Sequence, residues 1–165
     1  MPLCKKISGT DFEISVWKIT EPLSYFESLF NWHPDIKNEN KKLQWFATRH
    51  LVNEMNGIFS EVVKEESGKP FLRNSAHHLS ITHTRELAAV MQSKQYYVGL
   101  DLERIDSKVE RIAFKFLRED EISSISSEEK IEKLILYWSA KESLYKLYGM
   151  REIDFMTQLL IEPLK

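Results

Sequence analysis

Two acids set the hardest constraint on how this chain folds. Asp101 and Glu103 close the run Tyr97-Val98-Gly99-Leu100-Asp101-Leu102-Glu103. Tyr97, Val98 and Leu100 favour an extended chain, on which Asp101 and Glu103 point to one face. Like charges placed side by side repel unless something positive lies between them. Further on, Trp138-Ser139-Ala140-Lys141-Glu142-Ser143-Leu144-Tyr145-Lys146 reads as a helix with Glu142 and Lys146 one turn apart. Ile135, Trp138 and Tyr145 lie on the same side as Glu142, so its carboxylate sits in an apolar stripe. An acid there needs a compensating cation or a raised pKa. A fold that lays this helix across the extended segment brings three carboxylates and a lysine together. That is the ligand set of a hard divalent cation such as Mg²⁺, shared with a phosphate.

Composition narrows the class without naming a chemistry. A length of 165 residues suits one domain, or two small halves that share a core. With 42% hydrophobic and 12% aromatic residues the chain can fill that core, which excludes a disordered polypeptide. A net charge of −2 gives no overall basic field for nucleic acid. A nucleic-acid-binding module would have to rest on Lys41, Lys42, Arg49, Trp45 and Phe46, a short patch. The single cysteine, Cys4, excludes a disulfide framework and a zinc ribbon and suits a reducing compartment. Polar residues follow Met1, so no signal peptide is expected. No apolar run approaches the ~20 residues of a membrane span. The expectation is a soluble cytoplasmic protein.

Local patterns predict an α+β chain. Phe12, Ile14 and Val16 alternate as in a strand over residues 12–19. Residues 22–30 carry helical spacing, with Pro22 in the first turn. Asn38 caps a longer helix through Asn56, and Gly57 stops it. Ser67-Gly68-Lys69-Pro70 is a turn. Residues 78–82, 87–91 and 96–103 read as strands, residues 109–117 and 128–148 as helices with Ser127 capping the second, and residues 157–161 as a last strand. The pair His77-His78 suggests a metal, but neighbours on a strand face opposite ways and cannot share one ion.

The Gly-x-Asp-x-Glu segment, followed by Trp-Ser-x-Lys-Glu-Ser-x-x-Lys, resembles the paired signature of the 4'-phosphopantetheinyl transferases. Gly68-Lys69-Pro70 and Thr82-His83-Thr84 are similar to the Gly-Lys-Pro and Ser-His-Ser elements of the single-chain type that activates surfactin synthetase. The resemblance runs from about Lys41 to Leu160, and its second motif matches at every fixed position. It implies two similar α/β halves related by a pseudo-twofold axis, with antiparallel sheets against long helices and coenzyme A in the cleft. Residues 1–92 would hold its adenosine and 3'-phosphate, and residues 93–165 the metal and catalytic helix. The chain stops soon after Lys146, where family members continue through further strands, so the second sheet is expected to be short or truncated.

The implied reaction is Mg²⁺-dependent transfer of the 4'-phosphopantetheine of coenzyme A to a serine of an apo acyl or peptidyl carrier protein. It releases adenosine 3',5'-bisphosphate and serves fatty acid, polyketide or nonribosomal peptide synthesis. Asp101, Glu103 and Glu142 would ligate Mg²⁺ (Mn²⁺ as an alternative), Glu142 would act as base, and Lys146 would stabilise the leaving group. Lys69, His83, Thr84, Arg49 and Lys141 would contact coenzyme A. Each residue also has a duller role: Glu142 and Lys146 alone are an i,i+4 pair worth ~0.3–0.5 kcal/mol, and Arg49 suits a solvated helix face. The alternative function is a degenerate homologue that binds coenzyme A or a carrier domain without catalysis. The partner protein would dock on the segment Arg104 to Arg118, which supplies Arg104, Lys108, Arg111, Lys115 and Arg118, with Lys108, Arg111 and Lys115 read as a basic stripe of one helix. The chain would be a monomeric pseudo-dimer.

Overall fold

The structure, a computed structural model, describes residues 3–162. Six strands form one antiparallel sheet: β1 (Leu3–Ser8), β2 (Phe12–Lys18), β3 (Val62–Lys64), β4 (Pro70–Leu72), β5 (His78–His83) and β6 (Leu87–Ser93), in the order β1-β2-β6-β5-β4-β3. Helices α1 (Leu23–Ser28) and α2 (Glu39–Asn56) cover one face of it. Two short 3-10 helices, Ser107–Arg111 and Ala113–Lys115, lead into α3 (Glu119–Ser123) and the long α4 (Lys130–Tyr148). Among the described residues every strand lies at or before Ser93.

Helix α2 starts and stops where the sequence predicts. Asn38 accepts a hydrogen bond from the Lys41 amide at 3.0 Å, and Gly57 turns left-handed at φ 67°. Its buried face (Phe46, Ala47, Leu51, Val52) packs against Trp17, Leu79, Ala88 and Val90 of the sheet. In β2 the covered side chains are Ser15 and Trp17, while Phe12 is 37% exposed. The alternation of Phe12, Ile14 and Val16 thus marks the strand but not its helix-covered face. A second core forms on Val109, Phe116, Leu117, Leu134 and Tyr137.

Five sequence expectations need correction. The acidic segment 96–103 is extended but joins no ladder. It crosses the face of β5 instead: Ser80 accepts from the Leu100 amide at 2.9 Å, and Thr82 donates to Asp101 at 3.3 Å. Gly99 lies close against α4, and these side-chain hydrogen bonds stand where strand pairing would be. Residues 109–117 are not one helix, because the chain tightens into 3-10 turns that break at Ile112. Helix α4 opens not at Ser127 but after Glu129, which is left-handed at φ 57°. Residues 157–161 form no strand, since Asp154 accepts from the amide and hydroxyl of Thr157, each at 2.7 Å, and turns the chain. Pro22, finally, caps α1 from outside its first turn.

A Cβ on Gly99 would run into the carbonyl of Ser143 and lie 2.7 Å from the Leu147 nitrogen, both backbone atoms of α4. Backbone there cannot yield as a side chain does. Gly99→Ala should therefore cost roughly 1–3 kcal/mol or more, read as a lower urea midpoint.

Candidate active site

Helix α4 does lie across the acidic segment. Lys146 Nζ reaches Asp101 Oδ1 at 2.6 Å, and the Asp101 side chain is only 5% exposed. Asp101 is held from two sides, by Lys146 of α4 and by Thr82 of β5. Its second oxygen, Oδ2, is buried without a hydrogen-bond partner. A buried orphan acceptor costs ~1–3 kcal/mol, and on a carboxylate it marks a position suited to a cation. Glu142, one turn before Lys146, is held above the ordinary carboxylate range. Burial is the main cause, the charge of Asp101 adds to it, Lys146 opposes it and Glu103 contributes least.

Glu103 turns to a different partner. Trp138 Nε1 donates to its Oε1 at 3.1 Å. Among the described residues no three acids, histidines or cysteines converge as a ready metal cluster. The expected three-carboxylate cage is thus not assembled: Lys146 supplies the countercharge on Asp101, and Trp138 engages Glu103. The donor chemistry nevertheless fits a hard divalent cation, because a free buried oxygen on Asp101 stands near a carboxyl whose ionisation is suppressed by burial and by that same acid.

Beside this group opens a cavity of about 530 Å³ between α2, β5, the β3–β4 turn and the end of α4. Lys41, Arg49, Lys64, Lys69, His83 and Lys146 line it, and no acid is among its lining residues. Arg49 lies over the ring of Trp45, 4.5 Å from its centroid, and burial pulls its guanidinium down to about 10. Its Nε is buried and unpartnered. His83 is pushed below its usual 6.5, first by burial and then by Lys146 and Arg49. A histidine whose protonation is depressed by neighbouring cations is one that an anion would relieve. Lys69 Nζ donates to the Leu147 carbonyl at 2.8 Å, which caps α4, and lies 4.9 Å from the Tyr97 ring.

Two of the expected coenzyme A contacts fall elsewhere. Thr84 is not in the cavity wall; its hydroxyl accepts from the amides of Glu86 and Leu87 and ties the β5–β6 turn. Lys141 is wholly buried, bonded to Glu121 at 2.7 Å, to the Phe116 carbonyl at 2.7 Å and to the Phe155 carbonyl at 3.0 Å. One residue along a helix turns the side chain by about 100°, so Lys141 points into the second core while Glu142 faces the acids. Its three donors are spent and no phosphate reaches it. The basic stripe also dissolves, because Arg118 instead caps α3 and pairs with Asp120, and the break at Ile112 takes Lys115 off the line of Lys108 and Arg111.

Sequence reasoning missed Lys64, and took Lys41 only as part of a nucleic-acid patch. It also missed Thr82 as the support of Asp101. The hydroxyl beside His83 in Thr82-His83-Thr84 was the available signal, since adjacent strand residues place Thr82 and His83 on opposite faces.

Residues 97–161 match the family model of the 4'-phosphopantetheinyl transferase superfamily. Over these residues the chain is similar to that superfamily. Over 106 residues the chain is 33% identical to the 4'-phosphopantetheinyl transferase gsp of Aneurinibacillus migulanus, an alignment covering 61% of this chain and 44% of that protein. The chain thus spans less than half the length of this curated relative. Among the described residues no helix is long and apolar enough to cross a membrane.

Lys141→Met would strand Glu121, whose oxygens also accept from the amides of Arg118 and Ile161. Breaking a buried pair from one side costs about 3–5 kcal/mol, so the thermal midpoint should drop sharply. Lys141→Met with Glu121→Leu should recover much of the loss. A stable single variant with weakened coenzyme A binding would restore the phosphate role.

Proposed function

We propose that this chain transfers the 4'-phosphopantetheine group of coenzyme A to a serine of an apo acyl or peptidyl carrier protein. The observation that carries this reading is the separation of charge: a cation-lined, acid-free cavity meets the Asp101–Glu142 pair through Lys146. Coenzyme A divides its charge in the same way, with a 3'-phosphate on the adenosine and a pyrophosphate at the reacting end. Arg49, Lys69, His83 and the two lysines Lys41 and Lys64 would hold the adenosine 3'-phosphate end by charge-assisted hydrogen bonds. This assigns the adenosine end to residues 1–92 and the reaction to residues 93–165. The pseudo-twofold arrangement belongs to the same reading and requires strands beyond those described.

In the reaction the serine Oγ bonds to the phosphorus bearing the pantetheine. The bond from that phosphorus to the bridging oxygen breaks, and adenosine 3',5'-bisphosphate leaves. Glu142 takes the serine proton, directly or through a water, and its raised pKa suits that exchange. Lys146 stabilises the charge gathering on the departing bisphosphate. Asp101, Glu142 and, on release from Trp138, Glu103 would hold Mg²⁺, which when bound neutralises the pyrophosphate and polarises the phosphorus. Thr82 keeps Asp101 in place, and Gly99 lets the segment approach α4.

The deciding experiment offers a fluorescent coenzyme A analogue and an apo carrier protein to the full chain with Mg²⁺. Labelled carrier supports the reading, whereas coenzyme A binding without labelling would make the chain a binding homologue. Glu142→Ala should cost at least ~10²-fold in turnover, and EDTA should stop transfer until Mg²⁺ or Mn²⁺ is restored.

His83 gives an independent readout. Followed by NMR, its ring should titrate below 6.5 in the free protein and shift upward when adenosine 3',5'-bisphosphate binds, because a phosphate favours the imidazolium. His83→Ala should raise KM for coenzyme A more than it lowers kcat, since that end of the substrate does not react. An unmoved titration would take His83 out of the phosphate site.

A further inference from the structure

Two walls of the cationic cavity are joined by a reciprocal clasp between the β3–β4 turn and the end of α4. Lys69, on the turn, donates to the Leu147 carbonyl of the helix at 2.8 Å. Arg151, just past the helix, donates back to the turn: its NH2 group reaches the Glu66 carbonyl at 2.7 Å and its Nε reaches the Ser67 carbonyl at 3.4 Å. Gly149 lies between them in the left-handed region, at φ 72°, and a Cβ there would stand 2.6 Å from Lys69 Cδ. The missing side chain lets Lys69 lie across the helix end. The turn itself is tight, with the Gly68 amide on the Glu65 carbonyl and the Glu65 amide on the Lys69 carbonyl, both at 2.9 Å.

Ser67, Gly68, Lys69 and Pro70 form one wall of the cavity, and Tyr145, Lys146, Gly149 and Met150 face them. The clasp therefore fixes the distance between the walls, and with it the place of Lys69 relative to Lys146. Arg151 is exposed and does not line the cavity. Both of its acceptors are backbone carbonyls, so its effect is on where the turn sits and not on the charge seen by a ligand at contact distance.

We propose that Arg151 is a positioning residue for the cavity: it holds the β3–β4 turn against the end of α4 and so places the Lys69 ammonium for an anionic ligand. This rests on the phosphate-binding reading above. A lysine at position 151 carries its donors on one nitrogen and does not reproduce the two separated nitrogens with which the guanidinium fork reaches the two carbonyls.

The test uses the full chain with Arg151→Met, Arg151→Lys, Lys69→Met and the double variant Lys69→Met with Arg151→Met. Adenosine 3',5'-bisphosphate is titrated calorimetrically, and amide exchange is followed at residues 65–69 and 149. Arg151→Met should bind several-fold more weakly, with Arg151→Lys in between. In transfer assays KM for coenzyme A should rise more than kcat falls. The loss should shrink or vanish once Lys69 is Met, because Arg151 acts through it. Exchange in the turn should speed up in Arg151→Met without any ligand. Unchanged exchange overturns the clasp, and so does a loss that adds in full to that of Lys69→Met. If wild type itself fails to bind the bisphosphate, the phosphate reading falls, and the exchange measurement still decides whether Arg151 holds the turn.

Discussion

The ion pair between Lys146 and Asp101 joins the two parts of this chain, and the rest of the site is arranged around it. Asp101 is nearly buried, so its charge must be met at close range. Lys146 meets it from α4, and Thr82 adds a hydrogen bond from the sheet. One carboxylate thereby fixes a helix from the second core over a strand from the first. Its remaining oxygen has no partner, and this leaves unspent acceptor strength where the cavity cations and the neighbouring acids meet.

Charge is sorted on either side of that pair. Cations collect in the cavity over β5 and α2, where burial lowers Arg49, and burial with the charges of Lys146 and Arg49 lowers His83. Acids collect along the segment after Gly99, where burial and Asp101 raise Glu142. Each cluster is unfavourable alone. A ligand carrying phosphates, with a cation to share, would relieve both, which is how an otherwise costly distribution becomes a binding preference.

What the sequence made legible was whatever is decided within a few residues. The bounds of α2 follow from Asn38 and Gly57, which act on their own neighbours. Strands β5 and β6 follow from short apolar runs. The segment after Tyr96 misleads because strand structure depends on a partner: the residues favour an extended chain, but Ser80 and Thr82 capture its polar groups first. Strand β1 has all six residues exposed and so shows no buried alternation to read. Lys141 misleads for a different reason, since its motif fixes its neighbours in sequence but not which side of the helix is covered.

Helix α4 is consequently read from more than one side at once. Leu134, Tyr137 and Lys141 face the second core, Glu142 and Lys146 face the acids, and Leu147 offers its carbonyl to the turn across the cavity. These tasks sit at fixed rotations about one axis. Inserting or deleting a single residue between Leu134 and Lys146 would turn one end by about 100° relative to the other, aiming an ammonium at the core or a carboxylate at the wrong wall. The exposed connection from Ser126 to Glu129 has no such phase to keep. Length variation in this fold should therefore gather in that connection and stop abruptly at the helix, as in a shaft whose keyways are already cut.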